Sequence, residues 1–205
     1  MPVQAGKSPA CRLIPQGRIG ISGAPPPDSP HSRQKSTMVS FFFYGTLLDP
    51  DVRRGVFQEG TSRFELAPAE LYGFRRVRAR EGSYPVLVRA KGGRVRGALA
   101  DELDRDALLR IAHFEGPGYL PCPVSLRTPD GRREAWTLLP NRRRCGGAEA
   151  WSLHVWQRRE KARAMHQILA WFAEPTVGSP HSIDISWRMR RWIDVQIPAS
   201  GERRL

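Results

Sequence analysis

The run Phe41-Phe42-Phe43-Tyr44 has the character of a buried strand and ends on Gly45-Thr46-Leu47-Leu48, after which Asp49-Pro50 reads as the cap and first residue of a helix. A strand that turns on a glycine before a helix gathers several backbone N–H groups in one place, which makes a small anion site. Gly45 allows close approach to the backbone, and the helix N-terminus is expected to favour negative charge such as a substrate carboxylate. Tyr44, Gly45, Thr46 and Leu47 are therefore candidate binding residues, although a glycine after a strand is often no more than a turn. A second candidate is Glu115, in His113-Phe114-Glu115-Gly116-Pro117-Gly118-Tyr119, just past the expected end of a helix. Negative charge there opposes the helix dipole at a cost of a few tenths of a kcal/mol. Partial burial beside Phe114 and Tyr119 would raise its proton affinity, which suits a group that accepts and returns a proton. The plainer alternative is a loop glutamate facing solvent.

The elements that must position these residues follow from periodicity. A short helix is expected from Pro50 towards Phe57. Glu65 to Val77, Tyr84 to Ala90 and Arg94 to Ala100 are β-rich runs, the last two separated by Gly92-Gly93 and read as a hairpin. Asp104 caps a helix with Leu108, Leu109, Ile111 and Ala112 on one face, stopped by Glu115-Gly116-Pro117-Gly118. Cys122 to Arg127 and Glu134 to Leu139 are strands joined by the turn signal Thr128-Pro129-Asp130-Gly131. From Ser152 to Phe172 the apolar residues Val155, Ala162, Met165, Leu169 and Phe172 predict one amphipathic helix lying on the core. The expected organisation is a Pro- and Ser-bearing disordered extension over 1–37, a domain over 38–172 and a basic tail over 173–205 whose isoleucines and tryptophans follow no clean period. Met38, directly before the first strand, is a candidate translation start.

The chain has 205 residues, 40% of them hydrophobic, enough for one sizeable core, and no run of about 20 apolar residues suited to a membrane span. With no apolar signal block at the N-terminus, a cytoplasmic protein is expected. Cys11, Cys122 and Cys145 are too few and too far apart for a disulfide framework or zinc site, and His31, His113, His154, His166 and His181 have no metal-like spacing, so no metal is expected. A net charge of +13 raises nucleic acid as a partner. Yet 29 of the 33 basic residues are arginine in a chain rich in Gly, Pro and Ala, the signature of a GC-rich genome. The clusters Arg75-Arg76-Val77-Arg78-Ala79-Arg80, Arg142-Arg143-Arg144 and Arg188-Met189-Arg190-Arg191 match no nucleic-acid module and read better as solvated faces. No Gly-x-Ser-x-Gly elbow is present, which argues against a serine hydrolase.

Together these segments resemble the γ-glutamylcyclotransferase-like family, the group that includes γ-glutamylamine cyclotransferases and plant avirulence-induced proteins. The resemblance spans about Val39 to Leu139. Tyr44-Gly45-Thr46-Leu47 is similar to that family's Tyr-Gly-Thr/Ser-Leu signature, and Tyr84-Pro85-Val86-Leu87-Val88 to its Tyr-Pro strand. Arg94-Val95-Arg96-Gly97-Ala98-Leu99 resembles a strand with an internal glycine, and Phe114-Glu115-Gly116 with Tyr119 resembles the segment that supplies the catalytic glutamate. The chain departs from the pattern at Ile111-Ala112, where the family commonly has Leu-Asp.

The resemblance implies an α/β (α+β) fold with a mixed, mainly antiparallel, barrel-like sheet flanked by helices. It also implies cyclisation of a γ-glutamyl compound to 5-oxoproline with release of an amine, without metal or organic cofactor. Glu115 would be the acid/base, the Tyr44 to Leu47 amides the carboxylate holders, and Tyr84 and Tyr119 the walls, their hydroxyls open to bonding substrate or orienting Glu115. A small-molecule γ-glutamyl substrate is the expected partner. The alternative is a catalytically inactive binding module of the same fold, for a carboxylated or nucleic-acid ligand.

Overall fold

The computed structural model describes residues 38–58, 64–141, 146–173 and 187–198. The extension over 1–37, the Arg142 to Arg144 cluster, Cys11, Cys145, His31 and His181 lie outside these residues. Six strands and five α-helices follow in the order β1 (Val39–Phe43), α1 (Pro50–Phe57), β2 (Leu66–Ala79), β3 (Pro85–Leu103), α2 (Arg105–Glu115), β4 (Tyr119–Thr128), β5 (Gly131–Pro140), β6 (Gly146–Ala150), α3 (Leu153–Arg159), α4 (Lys161–Ala173) and α5 (Trp187–Gln196). The strand order β3-β1-β5-β4-β2 is closed by pairing of β2 with β3, giving a five-stranded barrel with β6 added beside β2. Among the described residues only β1 and β5 run parallel, Phe41 opposite Trp136; the other pairings are antiparallel. This is the mixed, mainly antiparallel, barrel-like sheet with flanking helices that the resemblance implies.

The unbroken Phe41-Phe42-Phe43 run is explained by burial on both faces of β1. Phe42 joins Leu71, Phe74, Leu87, Val95, Leu99 and Leu126 in the barrel interior. Phe41 and Phe43 face the other way, into an outer core with Val52 and Val56 of α1, Leu108 and Ile111 of α2, and Ile168 and Phe172 of α4. Gly97 lets β3 close on β1: a Cβ there would sit 2.2 Å from the Phe43 carbonyl oxygen and 2.6 Å from the Phe42 ring. No side chain fits such a space.

Two expectations are corrected, and the C-terminal segment, to which the sequence assigned no structure, holds a helix. Gly92-Gly93 does not turn a hairpin, because β3 runs through it, and the register with β2 slips there, between Tyr72 opposite Arg94 and Phe74 opposite Arg89. Positive φ at Gly73 and Gly92 accommodates the bulge, and the hairpin turn lies instead at residues 80–84, between β2 and β3. The single helix expected from Ser152 to Phe172 is two, broken at Glu160. The break rotates the buried face, so Trp156, Ile168 and Phe172 are covered while Val155, Ala162 and Leu169 are exposed. Finally, α5 packs on the core through Met189, Ile193 and Ile197, with the Trp192 ring 5.0 Å from Trp136 and Arg105 donating to the Ile197 carbonyl at 2.6 Å.

Candidate functional site

Strand β1 delivers Tyr44 to the mouth of the barrel, and the next residues wind into one tight turn, Thr46–Leu48, with Leu48 N donating to the Gly45 carbonyl at 3.0 Å and Asp49 N to Thr46 at 2.9 Å. Glycine at 45 leaves room for Pro85: a Cβ there would stand 3.0 Å from Pro85 Cγ, a tight contact that Pro85 would have to yield to. Asp49 caps α1 as expected, its Oδ1 accepting from the amides of Asp51 at 2.9 Å and Val52 at 3.2 Å. Its other oxygen accepts from Gln157 Nε2 and Lys161 Nζ, both at 2.8 Å, so α3 and α4 hold the far side of the turn. Burial pushes the Asp49 carboxyl up, but the bonds from Lys161, Gln157 and the two amides outweigh it and hold the group below the ordinary value of 3.8.

This capping corrects one part of the sequence reading. The N-terminal amides of α1 are taken by Asp49, so that helix end does not supply the attraction for an outside anion. The loop carbonyls instead meet two arginines that charge patterning assigned to solvent or passed over. Arg76 Nη1 donates to the Tyr44 carbonyl at 2.7 Å, and Arg53 Nη1 to the Leu47 carbonyl at 2.8 Å. The Arg76 guanidinium also lies 5.0 Å from the Trp151 ring centre, and the Trp151 indole donates to the Ser83 carbonyl at 2.7 Å, which ties down the turn carrying Tyr84.

Across the mouth, Glu115 is the last residue of α2 rather than a loop residue beyond it. It is half-buried, and the helix closes behind it with Gly116 at φ +68°, whose N–H donates to the Ala112 carbonyl. Ala112 is buried in the outer core, so the helix end forms without the carboxylate common at that place in the family. Asn141 steadies the following turn by donating its side-chain amide to the Pro117 carbonyl at 2.7 Å and its backbone N–H to Gly118 at 2.9 Å. The tyrosine hydroxyls stitch the rim together. Tyr44 donates to the Leu138 carbonyl at 2.8 Å, Tyr119 to the Pro85 carbonyl at 3.1 Å, and Tyr84 to Glu81 Oε1 at 3.1 Å.

One cleft collects every residue singled out from the sequence: Tyr44, Gly45, Thr46, Leu47, Tyr84, Glu115 and Tyr119 line it, joined by Pro85 and Leu138. Its open space, counted out to solvent, is about 390 Å³. A carboxyl thus lines the same cleft as the Tyr44 to Leu47 loop and two tyrosines, the residue types a site for a small acid and a proton transfer would need. Among the described residues no group of three or more His, Cys, Asp or Glu is placed to hold a metal ion, and no helix is long and apolar enough to cross a membrane.

Comparison with known proteins bears on the family. Residues 41–158 match the family described as gamma-glutamyl cyclotransferase, AIG2-like. No curated protein matches significantly. Among solved structures, one protein from Arabidopsis thaliana is similar at 24% identity over 64% of this chain and 88% of that one, with a TM-score of 0.46. A gamma-glutamyl cyclotransferase is similar at 12% identity over 77% and 99%, with a TM-score of 0.46. An AIG2-like protein from Mus musculus is similar at 22% identity over 50% and 76%, with a TM-score of 0.43. The family match covers more than half of the chain and includes the end of β1, the cleft loop and α2, and on that match the chain belongs to the AIG2-like gamma-glutamyl cyclotransferase family.

Proposed function

We propose that the protein cyclises the γ-glutamyl part of a small γ-glutamyl amine or peptide to 5-oxoproline and releases the amine. The observation that carries this reading is the convergence of Glu115 and the Tyr44 to Leu47 loop on one cleft. The substrate's own α-nitrogen attacks its γ-carbonyl carbon, a new C–N bond closes the five-membered lactam, and the C–N bond to the leaving amine breaks. Because nucleophile and electrophile share one molecule, the protein's task is to hold the folded conformer and move protons. An α-ammonium with a pKa near 8 is mostly protonated at neutral pH. The Glu115 carboxylate accepts its proton and returns one to the departing nitrogen, and loop amides hold the α-carboxylate. The half-buried position of Glu115 on the cleft wall, at the end of α2, supports this role.

The test is release of 5-oxoproline from a panel of γ-glutamyl amines and dipeptides by the full chain and by Glu115→Gln. Turnover in the wild type that is abolished in the variant supports the reading and identifies the leaving group. A folded wild type silent across the panel overturns it in favour of a binding module.

A further inference from the structure

We infer that Arg76 is a positioning residue for the cleft loop, aiming the Gly45 amide and supplying the fixed positive charge that grips the substrate's carboxylate. The inference rests on the reading that the cleft takes γ-glutamyl compounds. It begins from the loss of the expected source of attraction: α1 offers no open N-terminus, because Asp49 occupies its first amides and is itself paired with Lys161. A carboxylate drawn to this loop needs positive charge from elsewhere.

Arg76 stands behind the loop with the right chemistry. Its Nη1 donates to the Tyr44 carbonyl at 2.7 Å. In a trans peptide the C=O and the following N–H point in opposite directions, so fixing the Tyr44 carbonyl on Arg76 turns the Gly45 N–H away from the guanidinium. The guanidinium is also braced from the side, lying over the Trp151 ring at 5.0 Å, and the Trp151 backbone N–H donates to the Arg76 carbonyl at 3.3 Å. Burial pushes its pKa down from the ordinary arginine value, as expected of a cation with little water around it. Among the described residues no carboxylate forms an ion pair with it.

Arg53 supplies the contrast. It makes the same kind of bond, to the Leu47 carbonyl, but the Asp49 carboxylate partly offsets its charge. A cation poorly solvated and without a counter-charge gains most from an anion arriving nearby. The neighbouring groove is lined by Arg75, Arg94 and Arg96 as well, with Glu70 pairing the last two, so the surrounding field also favours an anion.

The experiment separates binding from chemistry. Calorimetric titration of γ-glutamylalanine into Glu115→Gln and into the double variant Glu115→Gln with Arg76→Met needs no turnover. We expect the dissociation constant to rise about tenfold in the double variant, and in the Glu115 background Arg76→Met to raise KM by a similar factor with kcat changed less than threefold, the pattern of lost uniform binding. Arg76→Lys keeps charge but loses the fork and should fall between the two. Should Arg76→Met not fold, Arg76→Lys decides by the same titration. An unchanged dissociation constant in a folded variant, or a loss of kcat with KM unchanged, overturns the inference. Absence of turnover in the wild type with ligand affinity still dependent on Arg76 overturns the cyclisation reading alone.

Discussion

The N-terminus of α1 follows directly on the cleft loop and the C-terminus of α2 lines the cleft, and both ends carry a carboxylate. At the N-terminus of α1, Asp49 is fully buried, bonded to two backbone amides, and paired with Lys161 and Gln157 from α4 and α3. At the C-terminus of α2, Glu115 is half-buried, lines the cleft, and sits where the helix dipole disfavours negative charge. One carboxylate has every reason to stay ionised and holds structure together. The other lines the cleft at a helix end with no capping role. The difference teaches that residue type says little about role in this chain: one carboxylate is consumed in capping and pairing, and the other is placed on the cleft, where the proposed function needs it.

The sharpest way to break this comparison is to neutralise each carboxylate in turn. Glu115→Gln is expected to lower turnover of a γ-glutamyl substrate by about 10²–10⁴, the range for losing a general acid/base. Its stability should be unchanged or higher by a few tenths of a kcal/mol, since a charge opposing the dipole is removed. Asp49→Ala should do the reverse. Removing one partner of a buried, hydrogen-bonded ion pair together with a helix cap costs about 3 kcal/mol of stability, while the folded fraction retains chemistry at Glu115. Urea unfolding beside 5-oxoproline release on both variants reads out the crossing. A variant pair in which both lose activity and neither loses stability would erase the distinction.

Lys161→Met sharpens the structural half. With Nζ gone, Asp49 keeps Gln157 and the two amides, so the expected cost at neutral pH is about 1–2 kcal/mol. The pH dependence carries a definite sign. A carboxyl held below its unfolded value of 3.8 contributes stability that is complete above that value and lost as pH falls through the folded-state value. Losing Lys161 leaves burial less opposed and raises that folded-state value. Acid unfolding of Lys161→Met, followed by circular dichroism, should therefore begin at higher pH than in the wild type. An unshifted acid limb would mean that Lys161 does not depress the Asp49 carboxyl.

How much of this was legible in the sequence follows from how local each role is. Tyr44 to Leu47, Tyr84-Pro85 and Glu115 to Tyr119 are short strings that carry the family resemblance, and through that resemblance the sequence already names residues that line the cleft. Most strands were legible from alternation and turn signals and the barrel from the family resemblance, apart from Gly92-Gly93, where the same two glycines serve a turn or a bulge and only the register with β2 decides. Arg76 was read as part of a solvated charge run because its partner is 32 positions away, and Lys161 as the polar side of a helix because its partner is 112 positions away. The break at Glu160 was hidden for a related reason. Val155 and Leu169 continue one apolar stripe in the sequence, but the chain turns between them and leaves both exposed.

The smallest effect expected comes from the tyrosines, and it tests where the chemistry stops. Tyr119 donates its hydroxyl proton to the Pro85 carbonyl, and Tyr44 to the Leu138 carbonyl, bonds that join strand ends across the barrel mouth. Replacing either tyrosine by phenylalanine keeps the ring that walls the cleft and removes the stitch, leaving a buried carbonyl short of one donor at a cost of about 1 kcal/mol. That corresponds to a fall in Tm of about 2–4 °C for a chain of this size. Because the proton is already spent on the backbone, Tyr119→Phe should lower kcat/KM less than about threefold, an effect of less than about 1 kcal/mol. A hundredfold loss at unchanged Tm would place the Tyr119 hydroxyl among the groups that touch the reacting atoms, and Glu115 would then share the proton transfer rather than carry it alone.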